Sequence, residues 1–239
     1  MRSASVRNLL LAAAVLCLAG CSTEHHVTGP LPWDISAPAP QPNSPQTAVR
    51  LFQWGWNYRD VGAISAVLSQ DFRFVFALGD SAGNQFPDHS IGREEMLTCL
   101  GNLFVGGGTA PPARSIVLVF DSTLRPVADS RPGMNPRWHK EIVTSVDLTV
   151  KTEDDQEYRI LGNARFFVVR GDSALVPSES GVGPDSTRWY IDQLNDETLQ
   201  GFNGALARVL PAMPQPSRNH TWGELLAIYY QSIRAALLR

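Results

Sequence analysis

Cysteine is the strongest nucleophile among the side chains of this sequence, and Cys21 and Cys99 are the two cysteines that follow residue 20. A catalytic thiol needs a low pKa and a neighbouring histidine. The neighbours of Cys99 at helical spacing are instead apolar: Met96, Leu97, Leu100 and Leu103. An unpaired thiol in an oxidising compartment survives best when it is buried. We therefore predict a free core cysteine at position 99, with a catalytic thiol as the alternative.

Other residues that could take part in metal binding or catalysis form no recognisable site. His25 and His26 are adjacent, but a histidine pair without acidic or cysteine partners is predicted to be solvated rather than to bind a metal. The tetrapeptide Gly-Asp-Ser-Ala occurs at 79–82 and again at 171–174. The first copy has a glycine two residues on each side of Ser81, at Gly79 and Gly83, which is the spacing of a nucleophile elbow, whereas the second copy lacks the later glycine. Because both copies come just after a predicted strand, they are interpreted as repeated turn chemistry. No metal and no cofactor is predicted.

The chain begins with the features of a secretion signal. Two arginines precede an apolar core over residues 9–19, which is too short to cross a bilayer as a permanent helix. The core ends in Leu18-Ala19-Gly20-Cys21, which resembles the lipobox of bacterial lipoproteins. This resemblance implies that residues 1–20 are removed and that Cys21 carries a diacylglyceryl group. The alternative is an ordinary cleaved signal followed by an accidental cysteine.

The predicted partner of the amino terminus is therefore a membrane, reached through lipid on Cys21. Two or three acyl chains hold a protein to a bilayer stably, whereas one chain is marginal. Ser22 stands where the inner-membrane retention signal of lipoproteins has aspartate, which favours the outer membrane, facing the periplasm. Residues 21–43 are proline-rich and are predicted to form an extended leash between membrane and domain.

Length and composition favour one domain with flexible ends. The chain has 239 residues, of which 44% are hydrophobic. Its net charge is −3, and removal of a leader that contains two arginines would leave it more acidic. This balance excludes the basic footprint of a nucleic-acid-binding protein, so no nucleic acid is predicted as a partner.

The segment from Ser44 to Leu78 organises the predicted domain. Ser44 can cap a helix that begins at Pro45, and Asp60 can cap a second, short helix. From Asp71 to Leu78 the pattern changes to strict alternation, which is typical of a strand. One face of that strand is predicted to carry Phe72, Phe74, Phe76 and Leu78.

This order of elements resembles the start of an NTF2-like (SnoaL-like) cone domain, and the similarity extends over residues 44–198. The family implies an α+β fold in which a curved, mostly antiparallel sheet wraps around the N-terminal helix and encloses a pocket. Further strands are predicted at 115–122, 141–151, 157–170 and 187–194, and a helix capped by Ser90 is predicted to end near Phe104.

The last region, residues 199–239, is predicted to be a proline-containing linker followed by an amphipathic helix. Thr221 and Glu224 have the spacing of a capping box at the start of that helix. The helix is predicted to dock on its own domain. A partner helix and a membrane-surface helix are the alternatives, and its few cations argue against the membrane.

If the resemblance holds, the pocket wall consists of six side chains: Trp56, Phe72, Phe74, Phe76, Trp189 and Ile191. Alternation supports this independently, since the three phenylalanines share one strand face and Trp189 shares another with Ile191. The alternative is that these side chains simply fill the core. Such a pocket would suit a small apolar or amphipathic ligand.

Enzymes of the family use Asp, His or Tyr as acid and base. The corresponding groups to test in this chain are Tyr58, Asp60, Asp88, His89 and Asp192, and they form no motif. The favoured function is therefore a lipid-anchored envelope protein with a non-catalytic small-molecule binding or accessory module. The alternatives are an enzyme of dehydratase or isomerase type and a module that forms a homodimer through its sheet.

Overall fold

The computed structural model of the protein describes residues 38–171, 186–198 and 219–237. The predicted leader 1–20, most of the leash including Cys21, and the predicted linker 199–218 lie outside these residues. The last described part of the leash is bonded to the domain, because the Trp189 amide donates to the Pro42 carbonyl at 2.7 Å.

Two consecutive helices open the domain as predicted. Helix α1 spans Pro45–Tyr58, and the Ser44 hydroxyl accepts the amide of Thr47 in a capping box. The turn after α1 places Arg59 in the left-handed region, with φ of 55°. Helix α2 spans Val61–Ser65, and the Asp60 carboxylate accepts the Ala63 amide at 2.9 Å.

Within the described residues, eight strands form one sheet with the order β2-β1-β7-β6-β5-β3, while β4 pairs with β5 and β8 with β6. The β1/β7 and β6/β8 pairs are parallel and the other pairs are antiparallel. The strands are β1 Leu68–Val75, β2 Ser90–Gly92, β3 Ala113–Phe120, β4 Val127–Ala128, β5 His139–Thr152, β6 Glu157–Arg170, β7 Trp189–Thr198 and β8 Asn219–His220.

Two further α-helices lie in the described residues. Helix α3 spans Arg93–Val105 and helix α4 spans Trp222–Leu237. Helix α1 lies against β3, β5, β6 and β7, and α4 contacts α3 and β7. The predicted α+β class, a mostly antiparallel sheet around an N-terminal helix with an added C-terminal helix, is confirmed.

The first strand differs from its prediction at both ends. It begins at Leu68 and ends at Val75, with an irregularity between Leu68 and Arg73 in its pairing with β7. Phe72, Phe74 and Phe76 are buried, but Leu78 is 105% exposed. The prediction that Leu78 shares their inner face is wrong, because the chain leaves the sheet three residues earlier and turns at Gly79, whose φ is 82°.

The third helix also begins later than predicted. Ser90 lies in strand β2, and Gly92 caps α3 while its amide donates to Glu95 at 3.1 Å. The prediction that Ser90 caps this helix is therefore wrong, since pairing of β2 with β1 extends the backbone there. Strand β6, at Glu157–Arg170, has the predicted bounds.

Cys99 lies on the buried face of α3 and is a free cysteine. Burial raises the pKa of its thiol to about 12, and Glu95 adds to the effect. A thiol with so high a pKa is protonated at neutral pH and is a poor nucleophile. The prediction of a buried, free core cysteine is confirmed.

Candidate functional site

The amino end of α4 sits on two buried carboxylates, Asp80 and Asp196. Asp80 follows β1 in the first Gly-Asp-Ser-Ala turn, and Asp196 lies near the end of β7. Leu194, Asp196 and Thr198 alternate along β7 and are buried, so this strand turns polar groups inward beyond Leu194. The turn after β1 and the end of β7 thus place both carboxylates at the first turn of α4.

Asp196 and its neighbour Thr198 satisfy amides that a helix leaves without partners in its first turn. The Gly223 amide donates to Asp196 Oδ2 at 2.8 Å, and the Trp222 amide donates to Thr198 Oγ1 at 3.0 Å. The Thr198 hydroxyl and amide both donate to Asp196 Oδ1. A carboxylate in this position is also favoured by the positive end of the helix dipole.

Asp80 holds the same helix end from the other side. Its Oδ2 accepts the Thr221 hydroxyl at 2.5 Å, and its Oδ1 accepts the Ala82 amide at 2.8 Å. A Cβ atom on Gly223 would lie 2.8 Å from Asp80 Oδ2 and 2.4 Å from the Phe76 ring. Glycine at position 223 therefore allows the helix to approach this closely.

The pKa of Asp196 is raised to about 6, mainly because the carboxyl is buried. Hydrogen bonds from Thr198 and Gly223 lower this pKa, and the nearby charge of Asp80 contributes to raising it. The folded protein therefore binds this proton more tightly than the unfolded chain does. The resulting stabilisation is present below pH 4 and is lost as the pH rises towards and through 6.

We expect the free energy of unfolding to fall by about 2 kcal/mol between pH 4 and pH 7 through this group. Urea titrations at several pH values should show this slope, and Asp196→Asn should flatten it. Asp88→Asn, at an exposed aspartate, is the matched control and should keep the slope of the parent. An unchanged slope in Asp196→Asn would contradict the assignment.

An open groove lies between α4 and the residues that follow Asp80. Its volume is about 630 Å³. It is lined by Ser81, Ala82, Asn84, Gln85, His220, Glu224, Ala227, Ile228 and Gln231. The lining combines hydroxyl and amide groups with the apolar surface of Ala227 and Ile228, which suits an amphipathic small molecule.

His220 and Glu224 form a hydrogen-bonded pair in the groove. His220 Nδ1 donates to Glu224 Oε2 at 3.0 Å, and the Tyr158 ring meets the imidazole edge to face. The same carboxylate accepts the Thr221 amide at 3.3 Å, which completes the predicted capping box. A carboxylate on Nδ1 orients an imidazole so that Nε2 can accept or deliver a proton.

The interior of the cone is occupied by the indole of Trp222, the first residue of α4. This side chain has 0% exposure. Its ring centroid lies 5.3 Å from Trp56, 6.0 Å from Phe52, and 6.5 Å from both Phe74 and Phe120. Edge and tilted contacts of this kind are the favoured aromatic geometry.

The six predicted pocket residues are all buried in the structure: Trp56, Phe72, Phe74, Phe76, Trp189 and Ile191. Trp56 and Phe74 touch Trp222, and Phe76 stacks on Phe86 at 4.9 Å. Arg170 faces the Trp189 ring at 5.8 Å. Their role in ligand binding stays a prediction.

The five candidate acid-base residues are not brought together. Tyr58 stacks on Trp54 with centroids 4.3 Å apart, and Asp60 caps α2. Asp88 is exposed, whereas His89 Nε2 bonds the Asp80 carbonyl oxygen at 3.0 Å.

Asp192 lies elsewhere, in a cleft of about 320 Å³ that Asp71, Arg73, Arg131 and His139 also line. Arg131 Nη2 bonds Asp192 at 2.6 Å and Asp129 at 2.8 Å. Burial raises the pKa of Asp192 although Arg131 opposes the shift. The arginine ties the segment before β5 to the sheet.

Sequence reasoning missed Asp80, Asp196 and His220. The alternation of Leu194, Asp196 and Thr198 was the available signal for an inward-facing carboxylate. Asp80 resembled an ordinary turn residue, and its partner Thr221 lies far away in sequence. In the part of the chain that the structure describes, no group of three or more His, Cys, Asp or Glu side chains is arranged to hold a metal ion.

No protein-family model matches the sequence, and no curated protein is significantly similar to it. Similar solved structures include a conserved protein from Planctomyces limnophilus, with 12% identity, a TM-score of 0.41 and coverage of 64% of this chain and 92% of that one. An NTF2-like superfamily protein from Salmonella enterica serovar Typhimurium has 10% identity, a TM-score of 0.42 and coverage of 66% and 91%. A hexachlorocyclohexane dehydrochlorinase has 12% identity, a TM-score of 0.42 and coverage of 66% and 82%. Similarities this low say nothing of this chain's activity.

Proposed function

We propose that the protein is a lipid-anchored envelope protein, held through Cys21 at the outer membrane and facing the periplasm, whose domain binds a small amphipathic ligand without catalysis. The anchor is supported by the apolar core that ends in Leu18-Ala19-Gly20-Cys21 and by the proline-rich segment after it. No helix in the described residues has the length and apolar character needed to cross a membrane.

The observation that carries the binding proposal is the groove beside α4. Its volume of about 630 Å³ suits a small molecule, and its wall mixes polar and apolar groups. The cone residues are a less favourable site, because Trp222 fills the space between Trp56 and Phe74. A ligand among them would have to displace α4.

A second candidate function is proton transfer in the same groove. It is favoured by the 3.0 Å bond between His220 Nδ1 and Glu224, which presents an oriented imidazole beside open space. An enzyme of dehydratase or isomerase type would use His220 rather than the five residues suggested by the family resemblance. A homodimer through the sheet remains a separate prediction.

Lipidation is tested by labelling. In a bacterial host supplied with a clickable palmitate analogue, the full-length protein should incorporate label, and Cys21→Ala should lose it. Cys99→Ala is the control, because a buried thiol is not expected to be acylated. Equal labelling of Cys21→Ala and the parent would rule out the anchor.

Ligand binding in the groove is tested with the fluorescent dye 1-anilinonaphthalene-8-sulfonate. The parent should bind the dye saturably, and Asn84→Trp, which fills the groove from an exposed lining position, should weaken binding roughly tenfold. Val105→Trp adds the same ring at a position that is 79% exposed and does not line the groove. All three proteins should unfold at similar temperatures. Equal binding by Asn84→Trp and the parent would place the dye elsewhere.

A further inference from the structure

The cleft that contains Asp192 lies on the face of the sheet opposite the aromatic core. Val169 lines the cleft, whereas its neighbour Val168 belongs to the core, and successive side chains of a strand point to opposite faces. Arg73 of β1 lines it in the same way, while Phe74 belongs to the core. The cleft shares no lining residue with the groove beside α4. It is therefore a separate candidate site, which we call the outer cleft.

Asp192 reaches the outer cleft through a β-bulge in β7. In the β6/β7 ladder Phe167 pairs with Gln193 and Val168 pairs with Ile191, which leaves Asp192 as an extra residue. Asp192 and Gln193 both line the cleft, although strict alternation would send two consecutive side chains to opposite faces. A bulge re-aims a side chain in this way, and bulges are frequent beside functional sites.

Arg131 holds the Asp192 carboxylate in one orientation. Arg131 Nη2 bonds Asp192 Oδ2 at 2.6 Å and Asp129 Oδ2 at 2.8 Å. Its Nη1 donates to Gln193 Oε1 at 3.1 Å, and the guanidinium lies 4.3 Å from the centre of the Phe167 ring. Among the described residues, none donates a hydrogen bond to the other oxygen, Asp192 Oδ1. One oxygen of a well-positioned carboxylate is therefore available to a ligand.

Two more acceptors line the outer cleft beside Asp192. The Asp71 carboxylate is exposed and accepts the Ser69 hydroxyl at 2.9 Å. His139 Nδ1 donates to the Asn135 carbonyl at 3.3 Å, which leaves Nε2 of the neutral ring as an acceptor. Burial is the main cause of the raised pKa of Asp192, and the charge of Asp71 also contributes, so the two carboxylates repel each other.

The charges of the outer cleft favour a cation. Three carboxylates and two guanidinium groups line it or bond its side chains: Asp71, Asp129 and Asp192 against Arg73 and Arg131. With a neutral His139 their sum is one net negative charge. A cation between Asp71 and Asp192 would relieve the repulsion between these carboxylates.

We propose that the outer cleft binds a small molecule with a protonated primary amine, held between Asp71 and Asp192, with its hydrocarbon part against Val169 and Met134. An ammonium group has three donors and no acceptor, which suits carboxylate and imidazole acceptors. A metal ion suits the cleft less, because the described residues bring no three His, Cys, Asp or Glu side chains together to hold one. This inference is independent of the lipid anchor and of the groove.

The test follows the methyl groups of methionine by NMR in full-length protein labelled there with ¹³C, titrated with propylammonium chloride at pH 7. The Met134 signal should move saturably because Met134 lines the cleft, and the signal of the fully buried Met96 should not. Propionate and propionamide have the same size without the positive charge. At equal ionic strength they should bind at least about tenfold more weakly.

Carboxylate variants locate the amine. Asp71→Asn should weaken binding about threefold, as expected for an exposed charge, and Asp192→Asn about tenfold. The matched control is Asp147→Asn, which removes an exposed carboxylate outside the cleft from its ion pair with Arg159 and should bind as the parent does. If Asp192→Asn does not fold, Asp71→Asn decides, because Asp71 is exposed.

Three results would each overturn the amine site: no saturable movement of the Met134 signal, equal binding of propionate, or unchanged binding by Asp71→Asn. Asn84→Trp, which fills the groove beside α4, should leave propylammonium binding unchanged. A failure of the groove and a failure of the outer cleft are therefore distinguishable.

Discussion

Replacing Trp222 with alanine is expected to lower the free energy of unfolding by about 3 to 5 kcal/mol. The indole is fully buried and is surrounded by Phe52, Trp56, Phe74 and Phe120. Its removal loses the free energy gained by burying a large aromatic side chain. It also leaves a cavity, which destabilises the folded state further. Urea denaturation of the parent and the variant at one pH measures the difference.

Trp138→Ala is the matched control for this prediction, because it removes the same side chain from a position that is 42% exposed. Its effect should be well below that of Trp222→Ala. A loss below about 1 kcal/mol in Trp222→Ala would mean that α4 contributes little to the cone and that the interior can be vacated.

Phe74→Ala is expected to cost a similar amount, about 3 to 5 kcal/mol. Phe74 has 0% exposure and touches both Phe76 and Trp222. A phenylalanine that lined an open ligand pocket would lose much less on truncation, because one side of its ring would already face solvent. The denaturation midpoint therefore distinguishes a filled cone from an open one.

Leu78→Ala provides the comparison within the same segment. Leu78 is 105% exposed, so its truncation should change stability by no more than about 0.5 kcal/mol. Equal losses in Phe74→Ala and Leu78→Ala would contradict the boundary of β1 and restore the longer alternating strand that the sequence pattern indicates.

Local signals in the sequence predicted local structure well. Ser44 with Pro45, and Asp60 before α2, satisfy helix amides within four residues of themselves, so their neighbours alone determine the outcome. Strand β6 was predicted with its full bounds, because apolar positions recur along it between turn residues. The predicted fold class followed from the resemblance of this order of elements to NTF2-like domains.

Features that depend on distant contacts were predicted poorly. Ser90 has the side chain of a helix cap, but pairing of β2 with β1 draws it into the sheet. The bonds of Asp80 to Thr221 and of Asp196 to Gly223 join segments that no local pattern connects. The candidate groove lies between two such segments and therefore could not be located before the fold was known.

The position of Trp222, more than 140 residues after Phe74 in the sequence, also constrains when the domain can fold. A polypeptide emerges from the ribosome or the translocation channel with its amino end first. Helix α1 and strand β1 are made and released long before α4. During that time Phe52, Trp56 and Phe74 lack the Trp222 ring that fills the space between them in the folded domain. The nascent chain therefore carries an unfilled aromatic surface until residue 222 has been made, and a chain that ends before this residue should depend on chaperones to stay soluble.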